Sequence, residues 1–220
     1  MDKIISAFEI TLLDSTLSGA CADILETGID SLLNEGIFNS IPIVNVLVGT
    51  AKTAQNIHDR NLLRQTIKFI NTFNAGTIDH TKLNKYRDKI SNDSKKAEEE
   101  LGRVIIILNN NIDVKKSELL AQFYKAYVFE SINWEQFCEL SDVISRLFIS
   151  DLPLLFKVYT NEVHDTSHCI TYQAERLISI GLLSSAIQSM TISSGNGSNT
   201  EKHIQINELS KMFCSFGMNR

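Results

Sequence analysis

Two histidines and a cysteine are the residues in this sequence best spaced for chemistry. His164 and His168 are four residues apart, and Cys169 follows directly. On a helix, side chains four residues apart lie on one face, and imidazole nitrogens and thiolates are the ligands that Zn²⁺ prefers. A zinc-protease helix would also carry a glutamate directly after the first histidine, which this sequence lacks, and no second ligand pair is evident. The sequence therefore favours a polar hinge here, and we predict no metal and no cofactor.

No other pattern in the sequence indicates catalysis. The chain has no GxSxG nucleophile motif and neither of the phosphate-binding motifs GxGxxG and GxxxxGK[ST]. Glu135 and Glu139 stand one helical turn apart, which is more typical of a solvated helix face than of a general acid and base. The cysteines form no CxxC, which favours buried thiols in a reducing cytoplasm. We predict that the protein is not an enzyme and has no catalytic residue. The four cysteines are Cys21, Cys138, Cys169 and Cys214.

An uncharged stretch of sixteen residues, 36–51, is the most distinctive local feature of the chain. It predicts an apolar helix that lines an oligomer interface or touches a membrane, or that is buried in a helical bundle. Asn45 and the charged residues that follow favour burial, with self-association as a second role. No stretch is long and apolar enough for a simple spanning helix, and no signal peptide is evident, so we expect a cytoplasmic or peripheral membrane protein. The predicted interaction or membrane face consists of Ile41, Ile43, Val44, Leu47 and Val48.

A charged cluster follows this apolar stretch. Lys52, Asp59 and Arg60 predict either an anion site at a helix kink or an ion pair that covers the junction, and the ion pair is favoured. His58 beside Asp59 does not make a catalytic dyad, because neighbours on a helix point about 100° apart.

The apolar spacing of residues 1–160 predicts a multi-helix bundle. A near-heptad pattern over residues 83–108 predicts one long, exposed helix with a single buried face. A second set of apolar residues predicts the buried face of an earlier helix. These residues are Leu63, Ile67, Ile70 and Phe73.

Capping signals predict where later helices begin. Asn133 and Gln136 form a capping box, which predicts a helix that starts there and runs through Phe148. Asp151 before a Leu-Pro pair predicts the N-cap of the next helix.

The last part of the chain, residues 166–220, changes character. It predicts a helix over 171–179, then strands over 186–192 and 203–207 around a glycine-rich tip at 193–199, and a short closing helix. This order is typical of the end of a winged helix. We therefore predict a mainly α fold, with a bundle and a small winged-helix-like α+β module.

The charge distribution argues against a nucleic-acid tract. The net charge is −5, and residues 52–103 carry eleven bases and seven acids between more acidic flanks. Such a pattern favours self-complementary packing, because phosphate binding needs clustered, unopposed positive charge. The basic residues that a nucleic-acid-binding winged helix would use are few, so a protein-docking module is favoured. They are Arg176, Lys202, His203 and Lys211.

Two stretches resemble uncharacterised bacterial helical proteins, some of which lie near phage-defence or mobile elements. The first carries IPIV at residues 41–44, LVGTAKT at 47–53 and IHDR at 57–60, and the second covers residues 123–155 with INWEQF and SDLPLL. The resemblance spans residues 36–160 and implies no established activity. Residues 177–183 and 206–211 similarly resemble parts of winged-helix modules.

Together these features predict a non-enzymatic interaction protein of bacterial type. It would be a self-assembling or membrane-touching component of phage or host defence, with a protein partner or a second copy as its ligand. The alternative is a nucleic-acid-binding regulator that uses the winged-helix-like module.

Overall fold

The computed structural model describes residues 2–27, 41–50, 57–190 and 200–218. Within these residues the chain forms eleven α-helices and one two-stranded antiparallel sheet near the C-terminus. The predicted mainly α fold is therefore confirmed, whereas the winged-helix arrangement of residues 166–220 stays a prediction.

The chain divides into two compact units, Met1–Phe137 (unit 1) and Cys138–Arg220 (unit 2). The boundary predicted near residue 160 stays a prediction. The helices of unit 1 are α1 (Asp2–Leu13), α2 (Ser18–Thr27), α3 (Pro42–Thr50), α4 (Ile57–Asn74), α5 (His80–Ser91), α6 (Ser94–Asn110) and α7 (Val114–Val128). Helix α8 (Trp134–Arg146) begins in unit 1 and ends in unit 2. Unit 2 then contains α9 (Leu152–Tyr159), α10 (Thr171–Ser179), β1 (Ser184–Met190), β2 (Thr200–Gln205) and α11 (Glu208–Gly217).

The long helix predicted over residues 83–108 is in fact two helices, α5 and α6. The chain breaks between them because Asp93 has extended backbone, and its carboxylate accepts a hydrogen bond from the Lys96 backbone N–H at 3.1 Å. This is the geometry of an N-cap, which starts a new helix. The predicted buried face is nevertheless correct across both helices. Its residues Leu83, Tyr86, Ile90, Ala97, Leu101, Val104 and Leu108 are all buried.

The core of unit 1 is centred on Tyr124 of α7, which is wholly buried. Tilted and edge-on ring contacts of this kind stabilise aromatic clusters beyond the burial of their surface. The ring centroid of Tyr124 lies 5.9 Å from Phe69, 6.1 Å from Phe73, 6.1 Å from Tyr86 and 5.2 Å from Phe137. The predicted buried face of α4 supplies part of this core. Its residues Leu63, Ile67, Ile70 and Phe73 are buried.

A carboxylate lies inside this core and is fully hydrogen-bonded. Glu100 of α6 is only 2% exposed. Its Oε2 accepts a hydrogen bond from the Tyr86 hydroxyl at 2.9 Å, and its Oε1 accepts from the Tyr127 hydroxyl at 2.7 Å and from Lys89 Nζ at 3.2 Å. The Tyr86 hydroxyl also pairs with that of Tyr124. Burial above all, and the nearby Glu100 carboxylate in addition, raise the pKa of Tyr86 far above its ordinary value, so this hydroxyl stays a donor.

Helix α3 packs against α1 through its apolar side. The Ile43 backbone N–H has no partner within the helix at this position, and it donates to the Thr11 hydroxyl at 3.1 Å. That hydroxyl in turn donates to the Ala7 carbonyl at 2.7 Å. Of the predicted interaction face, Ile41, Ile43, Val44 and Leu47 are buried in unit 1, and Val48 is half-buried.

Truncation of Leu47 tests this burial. We expect Leu47→Ala to lower the free energy of unfolding by about 2 to 3 kcal/mol, because it removes buried apolar surface and leaves a cavity. The exposed neighbour Asn45→Ala is the matched control and should change it by less than about 0.5 kcal/mol. The measurement is chemical denaturation of the full chain. Equal stabilities of the two variants would show that Leu47 is not a core residue.

Local capping interactions fix two of the helix ends in unit 2. Gly181, at φ +82, ends α10, and Asn207 starts α11 by exchanging hydrogen bonds with Ser210 in a capping box. Asn207 Nδ2 also donates to the Gly181 carbonyl at 2.8 Å, so one side chain ties the two helix ends together. The strands β1 and β2 lie close to the predicted positions, and the predicted tip at 193–199 lies outside the described residues. The core of unit 2 includes Leu177, Leu182, Leu183, Ile204 and Phe213.

Candidate interaction surface

A buried ion pair anchors one surface of unit 2. Asp151 ends a short 3₁₀ turn before α9 and is 1% exposed, while Arg176 projects from α10. Arg176 Nε donates to Asp151 Oδ2 at 2.8 Å, and Nη2 donates to Oδ1 at 2.5 Å. Two parallel hydrogen bonds of this kind fix the orientation of the guanidinium as well as its position. The hydrogen bonds to Asp151 raise the pKa of Arg176, so the guanidinium stays charged.

Two exposed aromatic rings stack on this guanidinium. Its carbon Cζ lies 4.3 Å from the Phe148 ring centroid and 4.9 Å from that of Tyr172. Both distances are within the range of cation–π contacts. Phe148 is 56% exposed and Tyr172 is 60% exposed, and Ile170, just before α10, is also exposed. We call Phe148, Tyr172 and Arg176 the aromatic–arginine patch.

This patch has the composition of a protein-binding surface. Aromatic residues and arginine are enriched among the residues that dominate binding energies at protein interfaces. The rings of the patch present apolar area, and the ion pair beneath holds the guanidinium between them. Because the Asp151 carboxylate balances the Arg176 charge, the patch can meet apolar surface without bringing an uncompensated charge.

The sequence-based predictions missed this patch. The capping box of Asn133 and Gln136 is present, with hydrogen bonds of 2.9 Å in both directions. However, α8 ends at Arg146, so Phe148 follows the helix and is exposed instead of continuing its buried face. Asp151 makes no side-chain capping bond, because its carboxylate binds Arg176. One available signal was the spacing of Tyr172 and Arg176, which four residues apart share a helix face.

The residues of the alternative nucleic-acid site are mostly paired with acids. Arg176 binds Asp151, Lys202 Nζ binds Glu175 at 2.6 Å, and Lys211 Nζ binds Glu208 at 2.7 Å. His203 is half-buried and pairs through its backbone with β1 and with Asp165. Each neutralised cation releases fewer counterions from a nucleic acid, so the pairing weakens the electrostatic case for DNA binding.

The predicted charged cluster and apolar face give no exposed site in the described residues. Asp59 and Arg60 lie in the first turns of α4 and are half-buried, and Lys52 lies outside the described residues. The buried side chains of α3 belong to the core of unit 1, which is the alternative that the sequence favoured. No helix in the described part of the chain is long and apolar enough to cross a membrane.

The histidine and cysteine cluster is a turn and not a helix. His164 precedes the 3₁₀ turn 166–168, so the two histidines do not share a helix face as the zinc hypothesis required. Asp165 Oδ1 accepts hydrogen bonds from the Ser167 hydroxyl at 2.5 Å and from His168 Nδ1 at 2.9 Å. These bonds, chiefly that from Ser167, lower the pKa of Asp165 to about 2.

This turn is not a catalytic triad, although it contains the three residue types. In a triad the histidine uses one ring nitrogen for the serine and the other for the aspartate. Here Ser167 lies 3.0 Å from His168 Nδ1, the same nitrogen that faces Asp165. Among the described residues, no group of three His, Cys, Asp or Glu side chains is placed to hold a metal ion.

Three of the four thiols lie in environments that suppress their reactivity. Burial raises the pKa of Cys21 to about 11 and that of Cys214 to about 12. Burial, together with the charge of Asp165, also raises the pKa of Cys169. Because the thiolate is the nucleophile and the metal ligand, these groups stay in their unreactive form at neutral pH. Glu135 and Glu139 are both exposed on α8.

Comparisons of the chain with known protein families, with curated proteins and with solved structures find no match.

Proposed function

We propose that this chain is a non-enzymatic interaction protein that associates with a second copy of itself through the aromatic–arginine patch. The observation that carries the proposal is the stack of Phe148 and Tyr172, both more than half exposed, on a guanidinium that the buried Asp151 holds in place. Side chains fixed before binding lose little conformational entropy when a partner covers them, so their contact area contributes more to affinity.

The electrical neutrality of the patch favours a second copy as its occupant. In a two-fold symmetric dimer the same surface meets itself, so any net charge on that surface is repelled by its own image. Arg176 is balanced by Asp151 within hydrogen-bond distance, which removes that repulsion. Aromatic faces can then stack on one another across the symmetry axis, or edge to face.

The resemblance of residues 36–160 to bacterial proteins near phage-defence elements suggests the biological setting of this proposal. The alternative, a nucleic-acid-binding regulator, is less favoured, because it needs Arg176, Lys202 and Lys211 for phosphates while all three bind carboxylates of unit 2. The proposal assigns no catalytic role to the chain.

The double variant Phe148→Ala/Tyr172→Ala tests the patch. We expect the wild-type chain to form dimers at micromolar concentrations and the double variant to stay monomeric, since the variant loses both exposed rings. The measurement is sedimentation equilibrium combined with light scattering. The melting temperature of the monomer should change by less than about 3 °C, because exposed rings contribute little to the core.

Tyr159→Ala is the matched control, because Tyr159 is also a partly exposed aromatic residue of unit 2 but is not part of the stack. This variant should dimerise as the wild type does. A monomeric wild-type chain, or a double variant that dimerises unchanged, would contradict the proposal. If the double variant instead loses the binding of a different protein, that protein, and not a second copy, is the partner that covers the patch.

A further inference from the structure

Unit 1 contains a cleft that none of the predicted site residues line. It lies between α5, α6, the end of α7 and the start of α8, and it has a volume of about 780 Å³. Volumes of roughly 300 to 1,000 Å³ are typical of clefts that bind small molecules. All of its lining residues belong to unit 1, so it is independent of the aromatic–arginine patch.

Four lysines line this cleft, and two of them have no carboxylate partner. Lys85 binds Glu130 at 2.5 Å, and Lys89 binds Glu100 at 3.2 Å. Lys82 Nζ donates to the neutral carbonyl of Phe129 at 2.7 Å. The remaining lysine is Lys96 of α6.

Lys96 of α6 makes no side-chain hydrogen bond or ion pair with any described residue, although its side chain lines the cleft. The cleft therefore presents two ammonium groups, those of Lys82 and Lys96, that make no ion pair with a described residue. The hydrogen bond from Lys85 above all, and the nearby charge of Lys82 in addition, lower the pKa of Glu130, so Glu130 balances part of the Lys82 charge. Glu99 also lines the cleft, but it is exposed, and solvent screens its charge. Clustered positive charge in a cleft raises the local concentration of anions.

The side of the cleft formed by α7 and α8 is aromatic and apolar. Trp134, at the start of α8, is half-buried, and the buried side chains of Val128 and Ile132 lie beside it in the lining. The indole ring is held in place by Phe137 and Tyr127, whose centroids are each 5.2 Å away. Its N–H makes no hydrogen bond with any described residue, so it is a donor available to a ligand.

The base of the cleft is rigid and chemically inert. Tyr86 and Tyr127 both donate to Glu100, and Lys89 donates to Glu100 and to Tyr127 at 2.7 Å. The carboxylate thus has hydrogen bonds on both oxygens and is not free to act as a base. A fully satisfied buried network of this kind holds the walls of a site in place. The arrangement suits binding and not catalysis.

We propose that this cleft binds a small phosphate monoester that carries a planar ring. A phosphate monoester has a charge of about −1.5 to −2 at pH 7, which matches the two unpaired ammonium groups of Lys82 and Lys96. Lysine binds phosphate as a point charge. The ring lies against Trp134 and the apolar side chains beside it, where stacking and apolar contact add affinity.

Titration of the full chain with adenosine monophosphate tests the proposal. Trp134 is the only tryptophan in the chain, so a saturable change in tryptophan fluorescence reports binding at the cleft. We expect half-saturation at about 0.1 mM, with adenosine alone and inorganic phosphate alone each binding at least about tenfold more weakly. Isothermal titration calorimetry gives the same affinities without an optical signal.

Lys96→Gln is the decisive variant, because the Lys96 side chain makes no hydrogen bond or ion pair with a described residue whose loss could unfold the protein. We expect it to weaken binding about fivefold to tenfold, whereas Lys95→Gln, the exposed neighbour outside the cleft, should bind as the wild type does. Adenosine binding as tightly as the monophosphate would overturn the role of the lysines. Inorganic phosphate binding as tightly as the monophosphate would overturn the role of Trp134. Equal affinities of the two lysine variants for the monophosphate would overturn the site, and so would the absence of saturation below about 10 mM.

Discussion

Glu100→Ala is expected to lower the free energy of unfolding by about 3 to 5 kcal/mol, among the largest effects of any single change in unit 1. The carboxylate is 2% exposed and accepts hydrogen bonds from Tyr86, Tyr127 and Lys89. Without it, two buried tyrosine hydroxyls lose their acceptor, and each buried group left unsatisfied costs about 1 to 3 kcal/mol. The ammonium of Lys89 is partly exposed and can turn to water, so it adds less to the loss.

Urea denaturation of the full chain measures this effect. Glu98→Ala is the matched control, because Glu98 is an exposed glutamate on the same helix, and it should change stability by less than about 0.5 kcal/mol. Glu100→Gln should fall between the two, since an amide oxygen can still accept one tyrosine hydrogen bond. A cost below about 1 kcal/mol for Glu100→Ala would show that the tyrosine hydroxyls find other acceptors, and that the network is not what holds this core together.

Arg176→Leu is expected to lower the melting temperature of unit 2 by about 10 °C. The reason is that the variant leaves the Asp151 carboxylate buried without its cation. Asp151 is 1% exposed, and its one other side-chain hydrogen bond among the described residues comes from the Ser150 hydroxyl at 3.4 Å. A buried carboxylate that loses its cation keeps the full penalty of its removal from water.

Two further variants separate this penalty from a general loss of packing. Asp151→Leu/Arg176→Leu should recover most of the lost melting temperature, because it removes the buried charge together with its partner. Lys202→Leu breaks the more exposed pair with Glu175 and should lower the melting temperature by no more than about 3 °C. A double variant as unstable as Arg176→Leu would show that packing of the arginine, and not the orphaned carboxylate, causes the effect.

Several local features could be predicted from the sequence because they depend on residues close together in the chain. The capping box of Asn133 and Gln136 starts α8, and Gly181 ends α10 at a positive φ that favours glycine. The buried face shared by α5 and α6 could also be predicted, since helical periodicity shows which side of a segment is apolar. The same periodicity did not reveal the break at Asp93, because a short cap leaves the spacing of apolar residues nearly unchanged.

The candidate sites could be identified only from the tertiary structure, because their residues are distant in sequence. Glu100 stands in a run of three glutamates that looks solvated, yet it occupies the buried face of α6 beside Ala97 and Leu101. Its tyrosine partners come from α5 and α7, and periodicity within one helix cannot identify a partner on another.

Asp151 is the clearest example of a residue whose partner could not be identified from the sequence. Its position before Leu152 and Pro153 is that of a helix N-cap, and by itself the sequence determines that a helix begins there. Whether the carboxylate caps that helix or pairs with a cation depends on which donor reaches it in the folded chain. Arg176, twenty-five residues later, reaches it with two parallel hydrogen bonds in which the donor and the acceptor are both ionised. The start of the helix was therefore decided locally, and the use of its aspartate was decided only by the packing of α10.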